Sequence, residues 1–331
     1  TYDDANQEFL DVMGGTARYW SDVVDNLPSN GNVVKGLTKN PDSDFATFCV
    51  RYLESAGHTM ARAALVPFYR SVLDQSHPDA MDEFCSAAVA VAAFFTLWRA
   101  TESTKGLDAV YRSYLEKTAS RVAGSAHSSE SLKAHFRSAL EGKPAASASS
   151  WTEKSKTELN YDRVNYVCRY VLHVAAEDTV VDGGEVGLMK LGRKGSAGGF
   201  MRPESWLSKD FAHVEHIAPQ TNNGSWGDQL YRERDYDNIG NLTLLPTAVN
   251  ISAGNKGWEA KYYYYRHIAE ADPGKLDALK EDAAQEGGEL REETIGLLRG
   301  CSVKSHLESI ISVSEPGTWD KQPADRRSAT R

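Results

Sequence analysis

Apolar residues recur at three- and four-residue spacing over almost the whole first half of the chain, and this pattern predicts amphipathic helices. The clearest examples are "SDFATFCVRYLESAG" from Ser43 and "MDEFCSAAVAVAAFFTLWRATES" from Met81. Strand signals are almost absent there, and nothing repeats at a fixed period, which argues against a solenoid. We therefore expect a helical bundle, a helical domain over residues 1–150.

The segment "EGKPAASASSW", Glu141 to Trp151, is rich in small residues and reads as a linker or loop. We expect a second domain over residues 151–331. It opens with a helix in "LNYDRVNYVCRYVLHVAAED" and a glycine-rich segment, Gly183 to Phe200, which is either a phosphate-contacting loop or a surface excursion. Three polar amphipathic stretches beyond residue 270 predict short C-terminal helices.

Length, charge and cysteine content narrow the class of protein. With 331 residues and 41% hydrophobic content, the chain can bury a sizeable core. A formal net charge of −9 disfavours non-specific coating of nucleic acid, although a local basic patch stays possible. The four cysteines form no CxxC pair, which fits a reducing cytoplasm.

No signal segment or membrane span is indicated by the sequence. The longest apolar run, Ala87 to Trp98, is shorter than the roughly 18 residues that cross a bilayer and predicts a buried core helix. The chain begins at Thr1, so we expect it to be a fragment of a longer protein.

The most informative stretch is "FAHVEHIAPQ", Phe211 to Gln220, where polar residues stand in a short alternating run that Pro219 ends. Its pattern predicts a strand. A polar connection of about twenty residues leads to "NLTLLP", Asn241 to Pro246, which predicts a second strand, and helical spacing resumes after Pro246. The order is strand, strand, helix, over about residues 211–268.

These residues carry a family resemblance. The set "EHIAPQ … NIGNLTLLPTAVNISAGNKGWEAK" resembles the ββα-metal (HNH) nuclease motif, and more narrowly the C-terminal nuclease domain of GmrSD-type modification-dependent restriction endonucleases. The match is strong from about Val214 to Lys261 and loose over the helical first half. The resemblance implies a mainly α fold, in which a small ββα-metal motif is embedded among helices.

The resemblance also implies roles for individual residues. Hydrolysis of a phosphodiester needs a base for the attacking water and positive charge at the phosphate. By resemblance His216 is the general base, and Glu215 and Asn250 are ligands of Mg²⁺, for which Mn²⁺ can substitute; Asn250 also counts among the catalytic residues. Many HNH proteins have histidine at the last position, and Asn250 keeps an oxygen ligand there, as a hard cation prefers.

Further candidates surround these three residues. Asn241 matches the residue that steadies the hairpin and orients the base by hydrogen bonding, although a turn asparagine is its plainer reading. Asn255, Lys256 and Lys261 are candidate substrate contacts, while a lysine of this kind is more often a solvated surface charge.

Strand geometry raises a difficulty for a shared metal site. Adjacent residues on a regular strand point to opposite faces, so Glu215 and His216 could face one ion only from a strongly twisted strand end. His213 shares the face of Glu215 and is either a substitute ligand or a structural histidine. The run "YYYYRH", Tyr262 to His267, suggests base stacking, but on a helix at least two of its tyrosines must face the core.

The leading functional expectation is a Mg²⁺-dependent DNA endonuclease or nickase; the resemblance implies a role in bacterial defence against phage, as the effector of a phosphorothioate-linked (Ssp-type) system. The family's nucleotide-hydrolysing domain, with its "DGQQR"-like motif, is missing from this chain, and we expect it as a partner. The alternative is a catalytically inactive ββα-metal fold that serves as a DNA-binding or protein-interaction module. No nucleophile-elbow motif supports a serine or cysteine hydrolase.

Overall fold

The computed structural model describes residues 2–26, 33–75, 77–119, 127–177, 179–184, 189–192, 199–211, 213–270, 272–285, 290–301, 305–312 and 319. The chain forms two compact units. The first comprises Thr1–Trp151 and Met201–Leu207, and the second comprises Thr152–Phe200 and Ser208–Arg331. The predicted mainly α fold is confirmed in both units.

The first unit is built from helices. Their bounds are α1 Tyr2–Tyr19, α2 Ser43–Ser55, α3 Thr59–Asp74, α4 Ala80–Arg99, α5 Leu107–Ala119 and α6 Ser129–Leu140, with a π-helical turn at Trp20–Asp25. Helix α4 packs against α2, α3 and α6. Its large apolar side chains, among them Phe84, Phe94 and Trp98, are buried, because the apolar spacing of the sequence places them on faces that meet other helices.

Helix α4 contains the apolar run that predicted a core helix. Among the described residues it is the one helix long and apolar enough to cross a membrane, and 56% of its most apolar window is buried inside the protein. Phe94 stacks on Phe136 of α6 with ring centroids 4.1 Å apart. The core-helix prediction is confirmed by this packing.

The second unit begins within a helix and alternates short elements. Their bounds are α7 Ala148–Glu158, α8 Tyr161–Glu177, β1 Thr179–Val181, β2 Met189–Leu191, β3 His213–His216, α10 Asp228–Arg232, β4 Leu242–Leu245, α11 Thr247–Ala253, α12 Trp258–Ala269, α13 Pro273–Gln285, α14 Glu292–Arg299 and α15 Glu308–Ile311; α9, Pro203–Leu207, belongs to the first unit. The predicted short C-terminal helices are confirmed.

The glycine-rich segment differs in part from its loop prediction. Met189–Leu191 forms strand β2, which pairs antiparallel with β1. Strands of three residues are too short to stand out as a local pattern, so the sequence did not indicate this pairing. Three basic residues of the segment could have contacted phosphate: Lys190 is exposed on β2 and pairs with Asp182 at 3.3 Å, whereas Arg193 and Lys194 lie outside the described residues.

The two predicted strands around residues 211–246 form an antiparallel pair. His213 lies opposite Leu245, and His216 lies opposite Leu242. Their connection is more ordered than the polar loop expected from the sequence, since it contains α10 and two 3₁₀ turns, Asp235–Asp237 and Ile239–Asn241. Pro246 stands at the N-cap of α11 and ends strand β4.

Aromatic side chains form much of the core of the second unit. Tyr262, Tyr263, Tyr264 and Tyr265 are all buried, as are Trp226 and Trp258. The core interpretation of the tyrosine run is thus confirmed for all four rings, which leaves none of them free to stack on bases. Helix α12, which carries the run, packs against α11, α13, α14 and α15.

Candidate active site

Strands β3 and β4 place Glu215 and His216 at the end of a two-stranded ribbon. Glu215 pairs with Thr243, and Ile217, just beyond β3, donates its backbone N–H to the carbonyl of Asn241 at 2.9 Å. The ladder ends there because Pro219 follows. Glu215 and His216 therefore stand at the end of the strand.

Glu215 is buried against helix α12. The Nζ of Lys261 lies 2.5 Å from Glu215 Oε1 and 2.8 Å from the carbonyl oxygen of His216, and Tyr265 donates to Oε1 at 3.5 Å. Burial raises the pKa of Glu215 and lowers that of Lys261, and the opposite charge partly offsets each shift. Glu215 thus carries a desolvated carboxylate that needs a cation beside it.

His216 contacts a different part of the chain. Its Nε2 lies 3.0 Å from Oδ1 of Asp237, and the edge of its ring meets Tyr161 with centroids 5.1 Å apart. About 13% of the His216 side chain is exposed, while Asp237 is fully buried. Adjacent strand residues therefore do diverge, as strand geometry predicts: Glu215 meets α12 and His216 meets the turn before β4.

Asp237 is an acidic residue held inside the protein. Burial alone would raise its pKa, but the hydrogen bonds from His216 and Gln220 outweigh burial, so the pKa of Asp237 lies below its ordinary value. Gln220 Nε2 donates to the same Oδ1 at 2.9 Å, and Arg234 lies 3.5 Å from Oδ2. The carboxylate is thereby kept ionised and fixed in direction.

Asn241 is fully buried and bridges two backbone segments. Its Nδ2 donates to the carbonyls of Ala218 and Tyr236, and its Oδ1 accepts from the backbone of Ala218 and from the indole of Trp319. These bonds connect the chain just after His216 to the chain just before Asp237. His216 forms its hydrogen bond with Asp237 and not with Asn241, whose amide is engaged by backbone groups and by Trp319.

Asn250 lies on α11, which packs against β3. Its Oδ1 is buried and has no hydrogen-bond partner among the described residues. Gly254 ends the helix with φ +46°, a conformation in the left-handed region that favours glycine. That turn lets the chain reverse into α12 and brings Lys261 to Glu215.

The other predicted contacts are divided between surface and core. Asn255 and Lys256 are exposed, and the carbonyl of Asn255 accepts from Asn223 at 2.7 Å. Lys261 is fully buried in its pair with Glu215, so the solvated surface charge weighed in the sequence is wrong, and a phosphate contact would first require that pair to open. His213 is exposed at the opposite end of β3 from His216.

The donor chemistry around Glu215 fits a hard cation. Within the described part of the chain, no three His, Cys, Asp or Glu side chains are grouped closely enough to hold a metal ion. However, the buried oxygens that lack a hydrogen-bond partner among the described residues include Oδ1 of Asn250, on the helix α11 that packs against β3, and the hydroxyl of Thr243, the cross-strand neighbour of Glu215. Carboxylate, amide and hydroxyl oxygens are the groups that Mg²⁺ accepts, together with water.

Asp237 and Gln220 were missed by the sequence reasoning. Both belong to the connection between the strands, for which the sequence predicts only a polar loop. Gln220 could have been predicted as a site residue, because it ends the "EHIAPQ" motif that carries Glu215 and His216. Nothing in the spacing distinguishes Asp237 from Asp235, which lies two residues earlier.

A strand pair that presents a histidine and a carboxylate, followed at once by a helix with an unpaired amide oxygen, is an arrangement suited to metal-assisted hydrolysis. Residues 146–282 match the family model of GmrSD restriction endonucleases, C-terminal domain. The match covers somewhat less than half of the chain, and over that length the chain is similar to a restriction-type nuclease domain. No curated protein matches the chain.

Proposed function

We propose that this protein is a Mg²⁺-dependent DNA endonuclease of the nicking type, built on a ββα-metal motif formed by β3, β4 and α11. The observation that carries the proposal is the position of His216 at the strand end, partly exposed and beside buried Glu215, within the segment that matches the nuclease family. A partly exposed imidazole can reach a substrate water, whereas a fully buried one cannot.

The residues divide the chemistry as follows. His216 takes the proton of the attacking water, and Glu215 with Asn250 would hold the cation. When bound, Mg²⁺ supplies positive charge that stabilises the leaving 3′ oxygen. Asn241 keeps the chain after His216 in place through its bonds to Ala218.

Substrate binding is assigned to the start of α12. Lys256 and Asn255 are exposed next to the glycines that precede the helix, where a cation and an amide can meet a phosphate oxygen. Lys261 joins them only when it leaves Glu215. Because the chain as a whole carries a formal net charge of −9 and repels DNA, the contact with DNA depends on these few residues.

The setting of the reaction is part of the same proposal. All four cysteines are buried and free, which suits a reducing cytoplasm. There the nuclease would act in restriction of phage DNA, with a nucleotide-hydrolysing domain or protein as its partner.

A second candidate is an inactive ββα-metal fold that binds DNA or protein. It is favoured by the ion pair of Lys261 with Glu215, since an ammonium group already neutralises the carboxylate that the cation needs. Under this alternative the protein would keep the ββα-metal fold without catalysing hydrolysis.

Plasmid nicking decides between the two candidates. Purified protein is incubated with supercoiled plasmid and Mg²⁺ or Mn²⁺, in parallel with His216→Ala and with an EDTA control. We expect metal-dependent relaxation, and a loss of at least about 10²-fold in the alanine variant because the base is gone. Absence of cutting under all metals, or equal cutting by His216→Ala, would reject the nuclease.

A further inference from the structure

The pairing of His216 with Asp237 determines which ring nitrogen carries the proton. A carboxylate oxygen only accepts hydrogen bonds, so the nitrogen facing it must donate. That nitrogen is Nε2, 3.0 Å from Asp237 Oδ1. In a neutral ring the other nitrogen, Nδ1, then holds the free lone pair, which is the one that can accept a proton from water.

The environment of Asp237 makes it a rigid anchor. Its carboxylate accepts from Gln220 as well as His216, and its backbone N–H donates to the carbonyl of Arg234 at 3.2 Å. The preceding residue, Tyr236, is held through its carbonyl by Asn241. A fully buried acid with both neighbouring segments fixed can hold a ring in one orientation.

The ring of His216 has few other constraints. Tyr161 packs against it edge to face, and this contact restrains the plane of the ring without choosing between its nitrogens. Among the described residues that touch the ring, Asp237 is thus the one that distinguishes Nε2 from Nδ1.

We propose that Asp237 is the positioning residue of the site: it keeps the proton of His216 on Nε2 and so presents Nδ1 as the base. The inference rests on the proposed nuclease function. In the reaction, the O–H bond of water breaks as Nδ1 takes the proton, and the oxygen bonds to phosphorus. The bond from phosphorus to the 3′ oxygen breaks, the leaving oxygen takes a proton from solvent, and Asp237 stays ionised beside the imidazolium.

Kinetics of three variants test the assignment. Asp237→Asn, Asp237→Glu and the control Asp228→Asn are compared with the full-length wild type in plasmid nicking with Mg²⁺. Asp228 is an exposed acid of the same connection, so its variant repeats the chemical change away from the ring. We expect Asp237→Asn to lower kcat by about 10²- to 10⁴-fold with little change in KM, Asp237→Glu to recover part of it, and Asp228→Asn to match wild type.

Imidazole spectra separate this inference from the nuclease function. Two-bond ¹H–¹⁵N correlation spectra of neutral rings report the tautomer of each histidine, and His216→Ala assigns the signal. We expect the Nε2–H form in the wild type and a shift toward Nδ1–H in Asp237→Asn.

The outcomes are distinct. An Nδ1–H tautomer in the wild type would overturn the proposal even if Asp237→Asn failed to fold, and so would a folded Asp237→Asn that keeps the wild-type tautomer and kcat. A wild type that cuts no DNA would reject the nuclease, while the spectra would still support or overturn the tautomer assignment.

Discussion

A fully buried ammonium group lies against the carboxylate of Glu215. Taking both charges out of water is costly, and each is tolerable only because the other is there. Lys261 also donates to the carbonyl of His216, so a single side chain neutralises Glu215 and fixes the backbone that carries the proposed base. A cation at Glu215 must therefore compete with Lys261, which predicts modest metal affinity in the absence of DNA.

Replacing Lys261 by methionine tests the strength of this pair. The variant keeps the length of the side chain but leaves Glu215 buried without a partner charge, so we expect unfolding free energy to fall by about 3–5 kcal/mol in urea titrations. The double variant Glu215→Gln, Lys261→Met removes both charges and should regain much of the loss. A single variant as stable as wild type would mean that the pair is open in solution.

Single residues of the site were predictable to different degrees. Glu215, His216 and Asn250 stand at set points of a recognisable motif, and the strand alternation correctly indicated that the first two diverge. Asp237 lies 21 residues from His216 in an irregular connection, and no periodicity links them. Lys261 looked like a surface charge because its partner comes from another element.

The first unit contains a buried histidine, His58. His58 stands at the N-cap of α3 and is stacked on Phe95 of α4 at 4.2 Å. Burial lowers its pKa to about 4, and neighbouring Asp108 and Arg99 act in opposite directions. The folded unit therefore holds a neutral imidazole where the unfolded chain takes up a proton.

The difference between the folded and unfolded pKa of His58 makes the stability of this unit depend on pH. Because the folded pKa lies below the ordinary value of 6.5, the contribution of His58 is full above pH 6.5 and is lost as pH falls toward 4, by about 3 kcal/mol in total. His58→Phe keeps a stacking ring without titrating. We expect urea midpoints of the two proteins to separate between pH 7 and pH 4, with wild type losing more; parallel curves would refute the buried neutral state.

At the level of elements, secondary structure was most predictable where a regular apolar spacing continued over many residues. The helices of the first half and the strand, strand, helix order around residues 211–268 follow from apolar spacing and from proline positions. The pairing of β1 with β2 and the turns between β3 and β4 could not be predicted in this way. Such short elements are stabilised by tertiary contacts, which a local sequence pattern does not reveal.

For the whole molecule, the mainly α class was predictable from periodicity, and the family that residues 146–282 match was predictable from a short ordered motif. The proposed chemistry draws on elements that lie far apart in the sequence: β3 carries Glu215 and His216, α11 carries Asn250, α12 carries Lys261, and the turn before β4 carries Asp237. Our central claim is that Glu215 and Asn250 hold a divalent cation beside His216.

Anomalous diffraction from crystals soaked in Mn²⁺ tests that claim most directly. We predict a peak bonded to a Glu215 oxygen and to Asn250 Oδ1, with Lys261 displaced from the carboxylate and His216 still paired with Asp237. The matched crystal of Asn250→Leu should show a weaker peak or none. A wild-type crystal that cuts DNA in Mn²⁺ yet shows no peak there, with Lys261 still on Glu215, would contradict the account.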